Sequence, residues 1–437
     1  MVLSFIGALI SFIFFIIGKL AFIWAPILIM YFAFEMWHHY VTDRFILGMK
    51  WTLFEIQIPR NVEKSPVAME LILTNAMYHA SIKGVWEVWV QGAPHFWFSL
   101  EMAGIDGQVH FYIRTPSRVR NLVETQIYAQ YPQAKVVEVE DYTLRVPYDA
   151  PNDDWYLWGC DFCLEHHIAF PLRTYKSYDL GDMINNLEDN EHQKNDPITP
   201  TIEFLGSLKK GQQVWVQIVI RPSKSTYHTH GKMFTHHGWV EEVEEEIARQ
   251  LAPYIEFRKQ EVGPNEYIST IRAPRTVDTR VEKMKEKIQK LGFDVGIRQV
   301  VLCESKYVSL EDFNNLRRDS RLMWRQFNNP DGNSLLRSNP TQYDQPFADP
   351  TGRGLWILKN RKLNWYRGRA FYNLPFWFGF KWPFPLSVFL PSHTPQIDVL
   401  NVEEIATLFH FPGQISQAPS FRRIESRVAK PPANLPM

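Results

Sequence analysis

The stretch that decides the fold runs from His95 to Ile113 and reads HFWFSLEMAGIDGQVHFYI. Its two ends, His95 to Met102 and Gln108 to Ile113, are rich in aromatic and apolar residues at strand spacing. Between them lies AGIDG, a glycine-containing connection of hairpin length. Two such runs joined in this way predict an antiparallel pair of strands.

Strand and helix patterns flank this hairpin on both sides. Upstream, Trp51 to Ile58 alternates like a strand and Ser65 to His79 follows with the start signals of a helix. Downstream, Thr115 to Pro132 has helical spacing and Lys135 to Glu140 alternates again. The order βαββαβ predicts a ferredoxin-like (split βαβ) domain over residues 50–145.

A second α+β domain with a helical insertion is predicted over residues 150–330. Apolar periodicity indicates a strand from Ala169 to Tyr178, a helix from Pro197 to Leu208, a strand from Val214 to Ile220, a helix from Thr276 to Leu291 and a strand from Phe293 to Cys303. Residues 331–437 are expected to form a loop-rich aromatic and basic segment, a short helix and a tail. The predicted fold class is α+β, with an N-terminal transmembrane region, two ferredoxin-like domains with insertions and a Pro-rich C-terminal tail.

The first 40 residues predict a transmembrane anchor. Val2 to Gly18 and Leu20 to Trp37 are apolar runs on either side of Lys19, and a spanning helix needs roughly 20 apolar residues. The chain therefore crosses twice, as a hairpin that turns near Lys19, or once, and we favour one crossing over Leu20 to Trp37. A cleaved signal peptide is the alternative, but no Lys or Arg precedes the first run. Because Arg44 and Lys50 follow, the positive-inside rule predicts a cell-membrane anchor with the body in the cytoplasm.

Composition and motifs exclude several classes of function. The 47 Lys and Arg residues balance 47 Asp and Glu residues, which argues against a protein that binds polyanions over its whole surface. The sequence contains no G-x-x-x-x-G-K-[ST] phosphate loop and no diagnostic catalytic spacing. The chain is therefore expected not to be an enzyme and to need no cofactor.

A group of Cys and His residues is the candidate for metal binding. The residues of the C-x-x-C-x-x-H-H pattern have a spacing that zinc sites use, and His228, His230, His236 and His237 follow in a loop. The pattern lies partly on a strand, in which residues three apart point to opposite faces. No metal site is therefore predicted, and a zinc-dependent membrane enzyme is the least favoured function. The weak candidates are Cys160, Cys163, His166 and His167.

Basic and aromatic residues are interleaved between Lys359 and Phe389. Cations beside aromatic rings can hold a single-stranded nucleic acid or anionic lipid headgroups. The alternative is a long loop whose rings pack on the second domain. The binding candidates are Lys359, Arg361, Lys362, Trp365, Arg367 and Arg369.

Four segments carry a resemblance that covers almost the whole chain, namely Lys64 to Glu70, His110 to Pro132, Leu291 to Leu302 and Leu400 to Gly413. In them the chain resembles a bacterial membrane-protein family without an assigned activity. The layout is similar to the N-terminal, non-ATPase portion of type IV secretion coupling-protein and HerA-like conjugation ATPases. The tail from Ser416 to Pro436 is similar to the connector that leads into the ATPase. Because the sequence has no Walker motif, the resemblance implies a RecA-like or HerA-like ATPase in trans.

The function expected from this resemblance is a membrane-anchored scaffold that faces the cytoplasm and positions the ATPase of a conjugation-like translocation system. Asn401 to Phe411 has the pattern of a short amphipathic helix, which either docks the ATPase or caps the second domain. The alternative function is a nucleic-acid-binding module that grips the transported strand through Lys359 to Arg369. A homo-oligomer is also compatible with the sequence. The docking candidates are Val402, Ile405, Leu408 and Phe409.

Overall fold

The computed structural model divides the chain into two units. One comprises residues 1–49, 82–95 and 373–380, and the other comprises residues 50–81, 96–372 and 381–437. The residues described are 18–59, 64–78, 86–87, 90–149, 154–178, 196–223, 238–259, 267–271, 273–342, 349, 352–372 and 395–412. The predicted apolar run before Gly18, the loop of His228, His230, His236 and His237, the aromatic run up to Phe389 and the tail from Ser416 lie outside these residues.

The first unit contains one long helix, α1, which spans Ala21–Gly48. Its 28 residues make it about 42 Å long at 1.5 Å per residue, and apolar side chains such as Phe22 and Ile29 are exposed. Among the described residues it is the one helix that is long and apolar enough to cross a membrane. The predicted span from Leu20 to Trp37 overlaps this helix, which continues to Gly48. The number of crossings stays a prediction.

The second unit is built on a large antiparallel sheet. Its strands are β1 (Trp51–Gln57), β2 (Phe98–Ile105), β3 (Gln108–Pro116), β4 (Lys135–Glu138), β5 (Trp155–Leu164), β6 (Gln212–Pro222), β9 (Gly292–Glu304), β10 (Leu335–Ser338) and β11 (Asp398–Asn401). They lie in the order β10-β5-β9-β6-β2-β3-β1-β4, and β11 pairs with β9. A separate hairpin consists of β7 (Ile255–Lys259) and β8 (Tyr267–Ile271).

Helices cover both faces of this sheet, so the protein has a mixed α+β fold. Those that the structure describes are α2 (Val67–Ile72), α3 (Arg120–Gln130), α4 (Thr199–Gly206), α5 (Trp239–Leu251), α6 (Arg275–Ile288), α7 (Leu310–Asp319), α8 (Arg353–Gly368) and α9 (Val402–Leu408).

The sheet consists of two halves with the same strand arrangement. The first half has the order β4-β1-β3-β2, and the second has the order β10-β5-β9-β6. In each half, the first strand in the chain (β1 or β5) lies between the fourth (β4 or β10) and the third (β3 or β9). The halves join where β2 pairs with β6, from Phe98 opposite Ile220 to Ile105 opposite Gln213. One continuous sheet therefore runs through both predicted domains.

Alternation along β9 shows why both sheet faces are covered. Val295 and Ile297 face the larger core, which also contains α9 residues such as Ile405. Val300 and Leu302 face the opposite side, where they pack with α8. Because both faces are covered, nearly every residue of β9 is buried, as expected for a central strand.

The predicted hairpin is confirmed by the pairing of β2 with β3, from Ser99 opposite Arg114 to Ile105 opposite Gln108. The turn is formed by Asp106 and Gly107, both with positive φ (52° and 81°). Asp-Gly is a preferred pair for such tight hairpin turns. The strands therefore include part of the predicted AGIDG connection, because β2 continues to Ile105 and β3 begins at Gln108.

The strand predicted from Ala169 to Tyr178 is wrong. The strand at this point of the sheet is β5, and the predicted segment ends in a short 3-10 turn, Tyr175–Tyr178. Side chains bind its backbone in place of a neighbouring strand: the Leu172 amide donates to Glu404 Oε1 (2.8 Å) and the Tyr175 amide donates to Thr407 Oγ1 (3.0 Å). These partners lie more than 200 residues away in sequence, so the strand-like pattern was misleading.

A second correction concerns the predicted loop-rich segment from residue 331. Its residues from Arg353 to Gly368 form α8, so the reading as a long packed loop is wrong there. The helix buries Leu358, Lys362, Leu363 and Tyr366 against the sheet. Because one of these four is a lysine, the apolar stripe that usually reveals a helix is interrupted.

Candidate anion-binding site

Two networks of buried charges fix α8 to the sheet. In the first, Asp161 of β5 accepts from two cations, Arg298 Nε (2.8 Å) and Lys362 Nζ (2.7 Å). All three side chains are at most 1% exposed. Burial raises the pKa of Asp161, but the charges of Arg298 and Lys362 outweigh it and lower the pKa below its usual value. The network therefore keeps Asp161 charged and joins α8 to β5 and β9.

The second network surrounds Arg369, directly after α8. Its guanidinium donates to both carboxylate oxygens of Glu101, at 2.8 and 3.1 Å, and to Asp141. Glu101 also accepts from Tyr142 Oη (2.9 Å), whose oxygen lies 2.8 Å from Tyr366 Oη of α8. Glu101 and Arg369 are almost completely buried. This bidentate pair is the geometry that gives an Arg–carboxylate contact its strength.

These contacts correct the predicted role of two candidates. Lys362 and Arg369 are buried in ion pairs and have no surface to offer a polyanion. Arg367 is half-buried and donates from Nη2 to the Val146 carbonyl at 2.7 Å. Arg361 lies 5.1 Å from the ring of the half-buried Trp365. Lys359 remains the candidate that lines a cavity.

That cavity has a volume of about 360 Å³ and is lined by Arg317 of α7 and Lys359 of α8, together with Trp158, Phe313 and Thr341. It lies at the edge of β5, because β10 pairs only with the end of that strand, Asp161 to Leu164. Thr341 closes part of the uncovered edge, since its amide donates to the Gly159 carbonyl and its Oγ1 accepts from the Gly159 amide. We call this cavity, with Arg317, Lys359 and the neighbouring Arg321 and Arg337, the basic pocket.

The four cations of the basic pocket have no anionic partner among the residues that the structure describes. Burial lowers the pKa of Arg317, and the charges of Arg321, Arg337 and Arg318 lower it further. Burial and the charge of Arg317 likewise lower the pKa of Lys359. Because like charges this close repel, a bound anion would stabilise all of them. Guanidinium groups are also well suited to carboxylate or phosphate oxygens.

Two buried donors add to this positive charge. Trp158 is 1% exposed and lines the cavity, and within the described ranges its indole N–H has no acceptor. The Nε–H of Arg321 is also buried and has no acceptor among the described residues. The carboxylate of Asp349 also lines the cavity, but it accepts from the Leu355 amide (2.7 Å) in the first turn of α8. The arrangement can therefore bind an anion with several acceptor oxygens.

Sequence reasoning missed Arg317, Arg321 and Arg337. The pair Arg317-Arg318 and the nearby Arg321 are visible as a basic run, which a solvated helix end explains equally well. Arg337 joins them only because β10 pairs beside β5, opposite Phe162. This placement depends on the sheet order and has no local signal.

The four docking candidates lie in the core, which corrects their predicted role. Val402, Ile405, Leu408 and Phe409 are each at most 4% exposed. Their helix α9 has a capping box, in which Asn401 Oδ1 accepts from the Glu404 amide and Glu404 Oε2 accepts from the Asn401 amide. The apolar side chains pack with core residues of both sheet halves. They leave no apolar helix face for a partner.

The structure separates the weak metal candidates. Cys160 is completely buried in the core, and burial raises the pKa of its thiol. His167 Nε2 lies 3.2 Å from Glu242 Oε1, and the His166 amide donates to Asn333. Within the part of the chain that is described, no three His, Cys, Asp or Glu residues are grouped as metal ligands.

Comparison with known proteins identifies a family but no function. A family model described as a domain of unknown function, DUF8128, matches residues 72–347. The match covers more than half of the chain and includes every strand from β2 to β10. It contains Arg317, Arg321 and Arg337, whereas Lys359 and α8 lie beyond it. A search of curated proteins found no match. The chain belongs to the DUF8128 family.

Proposed function

We propose that this protein is a membrane-anchored scaffold without catalytic activity that binds the phosphates of a single-stranded nucleic acid at the basic pocket. The observation that carries the proposal is the convergence of Arg317, Arg321, Arg337 and Lys359 without an anionic partner in the described structure. The buried charges around Glu101 and Asp161, by contrast, are paired. Unpaired cations at a cavity are therefore better explained by a ligand than by folding.

An exposed aromatic ring beside the cations favours nucleic acid as the ligand. Trp356 is 39% exposed and precedes Lys359 by one turn of α8, so the two side chains are neighbours on the helix surface. Proteins that bind single strands combine cations that follow the phosphates with aromatic side chains on which bases stack. The zero net charge of the chain is consistent with one local site.

The membrane part of the proposal rests on α1. Only Met49 and Lys50 separate α1 from β1, so a helix that spans the membrane would tether the sheet to its surface. Arg44 and Lys50 at this end support a cytoplasmic position of the body under the positive-inside rule. We therefore propose the cell membrane as the location.

The ferredoxin-like nature of the two halves is also proposed. The order of strands four, one, three and two in each half supports it, because this order arises when two split βαβ units share a sheet. A separately encoded ATPase as the partner rests on the resemblance of the sequence alone. In such a system, the basic pocket would hold the transported strand while the ATPase moves it.

A salt titration with matched variants tests the proposed function. Binding of a labelled oligothymidine would be measured by fluorescence anisotropy at several salt concentrations, with the full chain in detergent. The wild type would be compared with the triple variant Arg317→Ala, Arg321→Ala and Lys359→Ala. For single strands, the slope of log K against log salt is about 0.7 per neutralised phosphate. We expect the triple variant to lose about 2 from this slope and to bind at least tenfold more weakly at 0.1 M salt.

The matched control replaces two exposed cations elsewhere, Arg118→Ala and Lys209→Ala. Neither side chain has an ion-pair partner among the described residues, and both lie far in sequence from the basic pocket. The control is expected to bind like the wild type. A triple variant that is folded by circular dichroism and keeps the wild-type slope would refute the proposed function.

A further inference from the structure

We propose that the basic pocket accepts a phosphomonoester, namely the phosphorylated end of a nucleic-acid strand, in preference to the phosphodiesters along it. This inference rests on the proposed function and specifies which part of the strand enters the cavity. Charge, hydrogen-bond donors and enclosure support it.

The positive charge exceeds what one phosphodiester requires. A phosphodiester carries a single negative charge, whereas a phosphomonoester carries about −1.5 to −2 at pH 7. Arg317 and Lys359 line the cavity and Arg321 and Arg337 lie beside Arg317, whereas among the described residues one carboxylate, that of Asp349, lines the cavity and offsets one of these four charges. A dianion therefore matches the site better.

The buried donors require acceptors at short range. Trp158 Nε1 and Arg321 Nε are buried and lack a partner in the described residues, and an unmade hydrogen bond of this kind costs about 1–3 kcal/mol. A phosphomonoester has three terminal oxygens that accept strongly. A phosphodiester has two, and its ester carbons must leave on both sides.

The shape of the site favours the end of a strand. The cavity is bounded by α7, by the edge of β5 with Thr341, and by the first half of α8. Its volume of about 360 Å³ is in the range of small-ligand cavities. The end of a strand can enter such a cavity from one side, whereas an internal phosphodiester needs an exit for the strand on both sides.

The test compares oligothymidines of one length that differ only at their ends, with the fluorophore at the opposite end. The affinity of the full chain in detergent would be measured for three forms of the strand, which carry a 5′-phosphate, a 3′-phosphate or hydroxyl groups at both ends. We expect at least one phosphorylated end to bind tenfold or more tightly than the hydroxyl form. The gain should disappear in Arg317→Ala with Lys359→Ala and persist in Arg118→Ala with Lys209→Ala. Arg337→Ala, at an exposed position, is a second variant that should reduce the gain.

Equal affinity for phosphorylated and hydroxyl ends would overturn this inference. If that equal binding still depends on salt and on Arg317, the proposed function stands, and if no oligonucleotide binds, both fail. A gain that the Arg317→Ala and Lys359→Ala changes leave intact also overturns it, since another site would then hold the end. Phosphatidic acid vesicles that bind through Arg317 when no oligonucleotide does would assign the phosphomonoester to a lipid and refute the strand-end inference.

Discussion

Replacing Arg369 with alanine is expected to lower the free energy of unfolding by about 3–5 kcal/mol. The change leaves Glu101 almost completely buried without its cation, and the hydroxyl of Tyr142 cannot neutralise a carboxylate. Removing one partner of a buried pair is costly because the remaining charge stays out of water. Urea unfolding of the full chain in detergent, followed by tryptophan fluorescence, measures the loss.

Two further variants separate loss of the ion pair from loss of packing. Arg118→Ala, at an exposed position, should change the free energy of unfolding by less than about 0.5 kcal/mol. Arg369→Met combined with Glu101→Leu should recover part of the loss, since it removes the buried carboxylate together with its cation, while Asp141 and the Tyr142 hydroxyl each lose a partner. A loss below about 1 kcal/mol for Arg369→Ala alone would show that this network does not hold α8.

Replacing Asp161 with asparagine is the second change with a large expected effect. It leaves Arg298 and Lys362 buried side by side without an anion, and we expect a loss of about 3–5 kcal/mol at pH 7. Because Lys362 belongs to α8, amide hydrogen exchange over Arg353–Gly368 should accelerate in the variant. The exposed Asp331→Asn is the matched control and should exchange like the wild type.

The same variant has a defined pH dependence. The pKa of Asp161 is lowered by Arg298 and Lys362, whereas an unfolded Asp titrates at about 3.9. Its contribution to stability is therefore complete above about pH 4 and is lost as the pH falls through the folded value. The stability difference between wild type and Asp161→Asn should stay constant from about pH 7 to 5 and shrink below about pH 4. A difference that grows on acidification would contradict the charged state of Asp161.

The parts of the fold that depend on local periodicity could be predicted from the sequence. The pattern of His95 to Ile113 predicted the hairpin, because Asp106-Gly107 supplies the turn and aromatic residues alternate on either side. The helices α3 and α6 and the strand β9 likewise have regular apolar spacing. In each case, neighbours within a few residues determine the structure.

The parts that depend on distant partners could not be predicted. Lys362 and Asp161 are 201 residues apart, and Arg369 and Glu101 are 268 residues apart. Without these carboxylates, the two cations would have to remain in water, and the sequence alone therefore offered a surface role for them beside that of a packed loop. The basic pocket has the same origin, since its arginines come from α7, the segment after it and β10.

The most direct test of phosphate binding at the basic pocket is photo-cross-linking of a 5-bromouracil-substituted single strand to the full chain, followed by mass spectrometry. We predict cross-links on peptides that contain Phe313 to Arg321 and Trp356 to Lys359. Added unlabelled strand should compete for them. Efficient cross-links that fall only on peptides of the first sheet half, β1 to β4, would contradict the account.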